Sequence, residues 1–535
     1  MKFYAFLLAG VALFVGRLGG QNATPFQVSI EEVNIPGMPG VQSFVYGQHL
    51  GKWLILGGRT DGLHQRQPFA SFAAADNNTS VYVVDPQSRQ VWSKSLSSLP
   101  SPLYEQLQST NMQFEQIDTV LYIIGGYGYS AIASNHITHN KLTAVNLPGA
   151  INAVINGTGI APHFRQAADF RMAVTGGYLG YLGNKFYLAG GQEFTGRYNP
   201  HGPNHGPGFI QKYTNAIRHF EIVDDGQNLA IQNYGEWHDT ANLHRRDYNM
   251  AFQIFPDGTP GYTMFSGVFQ YSGDIPWLNT IDFTDTGYVV QNSFNQYLNQ
   301  YHTAHLTLYD FASNAMHTVF FGGMSRYTLD ASGNLVDDIN VPFVNTISQV
   351  SRYADGSLKE YKIGEMPGLL GSGAEYIPLD PTAFKNSYGS VLLDSLTNQK
   401  TLVGYVLGGI ESTAKNIFFI NNGSQSDAST KVYKVFVTKN VIAQSELMDG
   451  GEFFKTRLFP NPASDEFALY MQLPHRDYIR ISLLDHTGKV LHEIFKGKVL
   501  SNKTLDISVN NLSPGTYLLQ ISNGHFNKQL PFIKE

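Results

Sequence analysis

The chain has 535 residues, 42% of them hydrophobic and only 15% charged, with 53 glycines, 30 tyrosines and no cysteine. That much apolar content supports a large buried core and excludes wholesale disorder, while the charged share falls well below the roughly 25% of ordinary soluble domains. The lack of cysteine excludes a disulfide framework, a thiolate metal site and a cysteine nucleophile; a net charge of -6 with no basic stripe argues against nucleic acid or an anionic membrane as partner.

Lys2, the apolar run 3–15, Arg17 and the small residues Gly19 and Gly20 predict a secretory signal over residues 1–20. The run is too short to span a bilayer, which needs about 20 apolar residues, and no later run approaches that length, so no transmembrane segment is expected.

Internal repetition then sets the fold. An apolar strand ending in Gly-Gly, or nearly so, recurs six times: WLILGG (53–58), LYIIGG (121–126), FYLAGG (186–191), YTMFSG (262–267), TVFFGG (318–323) and GYVLGG (404–409). A strand precedes each copy, as in NMQFEQ (111–116) or NMAFQI (249–254), with a turn such as Asp257-Gly258 between. A loop and a third strand follow, as in SVYVVD (80–85), and a fourth strand is expected to end in proline at Pro100, Pro148 and Pro367. Four antiparallel strands per repeat is the content of a propeller blade. The segment FQVSIEEVNIP (26–36) reads as a fourth strand without its first three, and VYKVFVTK (432–439) as a third without its fourth. Joining them completes the last blade and removes an exposed edge.

On these repeats residues 21–440 resemble the kelch-type β-propellers, here with six blades of about 70 residues against about 50 for kelch. A hidden unit between the last two Gly pairs would make seven. The extra length is expected in loops, where binding residues concentrate.

After a linker at 441–456, LFPNPASD (458–465) opens a different segment, with six strand patterns between 466 and 533 and turns at 487–488, 514–515 and 523–524. This pattern predicts a small Ig-like β-sandwich over 457–535. Its opening residues Phe459, Pro460, Asn461, Pro462, Ala463, Ser464 and Asp465, DHTGKV (485–490) with Gly488, LSPGTY (512–517) with Gly515, and the end at Ile533-Lys534 are similar to the C-terminal sorting domain of the type IX secretion system of Bacteroidota. The resemblance implies export across the outer membrane, with the translocon as partner of the tail, and a secreted or cell-surface location.

The propeller carries no GxxxxGK[ST], HExxH, GxSxG or EF-hand pattern. The kelch-type copper-radical oxidases need a Tyr–Cys cross-link, which a chain without cysteine cannot form. No cofactor and no metal are expected. His302 and His305, three apart, would point to opposite faces of a regular strand. In kelch folds the loops leading into the innermost strand and those leaving the Gly pair share one rim. That resemblance nominates Arg59, His64, Arg171, Glu193, Arg197, Arg245, Arg246, Asp247 and His302 for a rim able to hold a sugar or an acidic group. The expected role is a binding or adhesion protein for a glycan or surface protein. The alternative is a carbohydrate-active epimerase, mutarotase or lyase, with its site at the channel mouth.

Overall fold

A computed structural model of the chain describes residues 24–65, 71–198, 209–330, 333–380, 384–443, 446–448, 455–472, 477–486, 488–499, 502–522 and 527–535. The expected signal segment 1–20 lies outside them. The regular structure of the described residues is mostly strand, with two short α-helices, and six sheets each built on four antiparallel strands form a propeller-like ring.

The innermost strands of blades 1 to 6 are Val45–His49, Gln113–Ile117, Tyr178–Leu182, Asn249–Ile254, His305–Asp310 and Leu369–Pro378. Each pairs with the Gly-pair strand that follows it. Blade 6 takes its outermost strand from the chain start: Thr24–Glu32 pairs antiparallel with Val432–Ala443, Phe26 opposite Lys439 and Glu32 opposite Tyr433. The ring is thereby closed by hydrogen bonds, and no seventh unit stands among the described residues.

The Gly pairs serve contact between blades. Gly125 has φ +67°, and a Cβ there would overlap the Val174 carbonyl oxygen in the lead to blade 3. That same oxygen accepts from Gly126 N at 2.9 Å, so backbone touches backbone where a side chain would not fit. Large apolar residues fill the space between blades further out, as where Trp53 of blade 1 meets Tyr405 of blade 6 edge-on at 5.0 Å.

Two of the expected proline strand ends are helix starts instead. Leu147–Ile155 is an α-helix with Pro148 in its first turn, capped by the Asn146 side chain accepting from Gly149 N at 2.8 Å. Pro100 immediately precedes the helix Ser101–Leu107, without a side-chain capping bond. Proline has no N–H to lose at a helix start, so it suits that position as well as a strand end. The true fourth strand of blade 2 is Phe164–Ala168.

Within the stretch 441–456, Glu446–Met448 adds a short strand to the outer edge of blade 5 beside Leu358–Glu365. The tail forms two further sheets, one of three strands and one of four. Its opening motif holds the chain end: Ala463 is fully buried and donates to the Ile533 carbonyl at 2.9 Å, and Glu535 N donates to the Ala463 carbonyl at 3.0 Å. Asn461 Oδ1 accepts from Ile533 N at 2.9 Å, and Gly488 takes φ +86° in the turn that Asp485 closes.

Candidate functional site

Each innermost strand is entered through one residue with left-handed backbone: Ser43, Asn111, Gly176, Asp247, His302 and Gly373, with φ between +34° and +70°. These six form a ring around the axis. Gly373 N donates to the His302 carbonyl at 2.7 Å, Ser43 N to Gly373 at 2.8 Å, Asn111 N to Ser43 at 3.1 Å, Gly176 N to Asn111 at 3.4 Å and Asp247 N to Gly176 at 2.9 Å. Between blades 4 and 5 a side chain makes the join. Asn249 Oδ1 accepts from Thr303 N at 2.8 Å, and its amide donates to the Gln300 carbonyl at 2.6 Å.

Below the ring all six innermost strands line an axial cavity of about 730 Å³. Of the ring residues only His302 lines it, while its opposite end carries the exposed turn residues Asp118, Asn184 and Tyr388. The cavity therefore opens on the face away from the Gly-pair loops. The walls are aromatic, with Tyr46, Tyr178, Phe252, Tyr262 and Tyr376 among them.

The chemistry sits on four blades. His302 Nε2 lies 3.7 Å from Glu375 Oε1, and the His302 ring meets Tyr178 edge-on at 5.6 Å. His305 lines the same wall, its ring nitrogens 3.2 and 3.0 Å from the carbonyls of Thr303 and Met250, and burial lowers its pKa. The two histidines share one cavity because His302 is in the left-handed turn before the strand begins, so strand alternation does not separate them. Burial, with the nearby Glu375 carboxylate, pushes the Tyr178 phenol well up. Across the lumen Glu115 has no hydrogen-bond partner among the described residues, and its enclosed position pushes its carboxyl up to about 8.

The remaining nominated residues are held by other partners. Arg59 is buried and binds Asp61 through two bonds of 2.7 Å, with Asn77 Oδ1 at 3.0 Å. Arg245 is fully buried and donates to the Asn242, Ser266 and Asn279 carbonyls, each at 2.8 Å. Arg171 grips Asp169 under the Tyr234 ring, 4.4 Å from its centroid. Arg246 pairs with its neighbour Asp247 and reaches the Tyr213 hydroxyl at 3.2 Å. Arg197 donates to the Ser71 carbonyl at 2.6 Å, and His64 stacks on Phe72 at 5.6 Å. Glu193 is exposed on a four-stranded sheet built from the long loops of blades 2 and 3.

Glu115, Glu375 and Tyr178 are what the rim argument missed. The available signal was a carboxylate inside an inner strand, as in the QFEQI strand (113–117), where apolar residues are the norm. Among the described residues no three His, Asp or Glu side chains gather closely enough to hold a metal ion.

Residues 457–535 match the family model of the secretion system C-terminal sorting domain. The tail is a secretion-system sorting domain. No curated protein matches the chain. Among solved structures, one described as the structure of YjhT is 12% identical with a TM-score of 0.45, covering 78% of this chain and 99% of that one. A fungal alcohol oxidase of the AA5 family, in complex with copper, is 9% identical with a TM-score of 0.38, covering 96% of this chain and 100% of that one. No helix among the described residues is long and apolar enough to cross a membrane.

Proposed function

We propose that this is an exported carbohydrate-active enzyme that moves protons on a sugar bound in the axial cavity, in the class of epimerases, mutarotases and lyases. The observation that carries the reading is the pairing of His302 with Glu375 in the same cavity as Glu115. All three reaction types need a base and an acid at one substrate. His302, oriented by Glu375, takes the proton. Glu115 keeps its own proton at neutral pH, because burial holds its pKa near 8, and donates it. Tyr178 and the other aromatic walls suit the faces of a pyranose.

The protein then divides into a signal at 1–20, a kelch-like propeller at 21–440, a linker at 441–456 and an Ig-like sorting domain at 457–535. The tail addresses it to a type IX outer-membrane translocon of the Bacteroidota kind, and it works at the cell surface or outside the cell. The sorting-domain match supports this route.

The test is to incubate the full chain with a panel of neutral, amino and acidic saccharides in D2O. Proton NMR would read anomer interconversion, C–H deuterium exchange and elimination. Acceleration by the wild type and not by His302→Ala supports the reading; no acceleration of any of the three across the panel sinks it.

A recognition role for the opposite face is the second reading. Ile132, Tyr271 and Ile420, on loops leaving three Gly pairs, are 66%, 64% and 65% exposed, an apolar rim of the kind that meets a partner.

A further inference from the structure

At its inner end the cavity meets the ring, of whose six residues only His302 lines it. The ring at its inner end is tied by backbone hydrogen bonds through five of its six joints. Its side chains leave no slack either: a Cβ at Gly373 would stand 2.6 Å from Ser43 Oγ, and one at Gly176 would stand 2.8 Å from Asp247 Oδ1. The exposed turn residues Asp118, Asn184 and Tyr388 mark the other end as the mouth by which a ligand enters.

The charge of the lining is one-sided. Among the described residues no arginine lines the cavity, and the one lysine that does, Lys385, lies 3.8 Å from Asp380 near the open end. Deeper in, the ionisable acids are Glu115 and Glu375, with Asp118 at the turn. His305 has a backbone carbonyl against each ring nitrogen, and His302 Nε2 stands 3.7 Å from the Glu375 carboxylate. An anionic sugar end would bring its carboxylate or sulfate toward the Glu375 carboxylate, while Lys385 stays beside Asp380 near the mouth, at a steep desolvation cost. Glu115, with no hydrogen-bond partner among the described residues, lines the cavity and can offer an O–H to a sugar hydroxyl.

We propose that the cavity takes the uncharged terminal unit of a saccharide, end first from the turn face, and rejects ends carrying a carboxylate or sulfate. This rests on the carbohydrate reading above and adds the charge of the sugar and the part of the chain that enters.

The test is a glycan array probed with the full chain, since arrayed glycans present free ends, using matched pairs with and without an anionic terminal sugar. Binding is expected to uncharged ends, to fall at least tenfold when the end is capped by an acidic sugar, and to be lost in Glu375→Gln. Preference for anionic ends, or indifference to the terminal unit, overturns the inference and leaves the carbohydrate reading standing. Binding that persists in Glu375→Gln and in Glu115→Gln moves the ligand out of the cavity and overturns it too. A blank array across all classes overturns this inference, while the proton-exchange panel on free saccharides decides the carbohydrate reading separately.

Discussion

Gly373 N donates to the His302 carbonyl at 2.7 Å, and two residues later Glu375 brings its carboxylate to 3.7 Å from the same histidine's Nε2. The bond that joins blade 5 to blade 6 lies two residues from Glu375 and so bears on the spacing of the His302–Glu375 pair. On the proposed reading, blade closure and proton transfer are linked through one short stretch of backbone.

His302→Ala and Glu375→Gln should each lower turnover by on the order of 10²-fold or more. Because the two act as a unit, the double variant should be little worse than either single one. Steady-state rates, with circular dichroism to confirm the fold, check this.

Glu115 should set an alkaline limb. It acts protonated, so activity should fall as pH rises through about 8. The same group affects stability with a definite sign. Its folded pKa is raised from the usual 4.5, so the folded state holds a proton that the unfolded chain releases. Wild-type stability should therefore decline between about 4.5 and 8 and flatten above. Glu115→Gln lacks this dependence, so its melting temperature should gain on the wild type across that window, which a pH series of thermal melts would read.

Arg245 is a structural residue on this account. Its guanidinium satisfies three buried carbonyls beneath the Trp277 ring, 4.8 Å from its centroid. Arg245→Met should cost about 3–5 kcal/mol by leaving those acceptors unpaired. Chemical denaturation measures it; a loss of activity at unchanged stability would instead place Arg245 in the site.

Phe26 pins the closing strand, buried against His317 at a ring distance of 5.2 Å. Phe26→Ala should cost about 3–5 kcal/mol. Removing residues 24–32 should expose the edge of Val432–Ala443 and promote aggregation, seen by light scattering.

Deleting 457–535, the matched sorting domain, should leave the protein inside the outer membrane. Cell fractionation tests this, and unimpaired release would refute the role of the tail.

The architecture was legible because its cause is local and repeated. Five Gly pairs and one Ser266-Gly267 stand where blade backbones come close, so six copies of the motif announce six blades, and the split last blade followed from counting strands. Proline misled at 100 and 148 because it suits a helix start as well as a strand end. The site was harder to read. Charged residues near the Gly pairs are conspicuous in sequence, yet Arg59, Arg171 and Arg245 are bound to protein acceptors. Glu115 and Glu375 sit inside strands, and what makes them chemical groups is convergence from separate blades, which no local pattern records.

The most direct test is proton exchange on the saccharide accepted by the wild type, compared between His302→Ala and Glu193→Ala. The account predicts that exchange is lost in the first, where the cavity is altered, and kept in the second, on the exposed opposite face. Exchange kept in His302→Ala and lost in Glu193→Ala would contradict it and move the site to the rim.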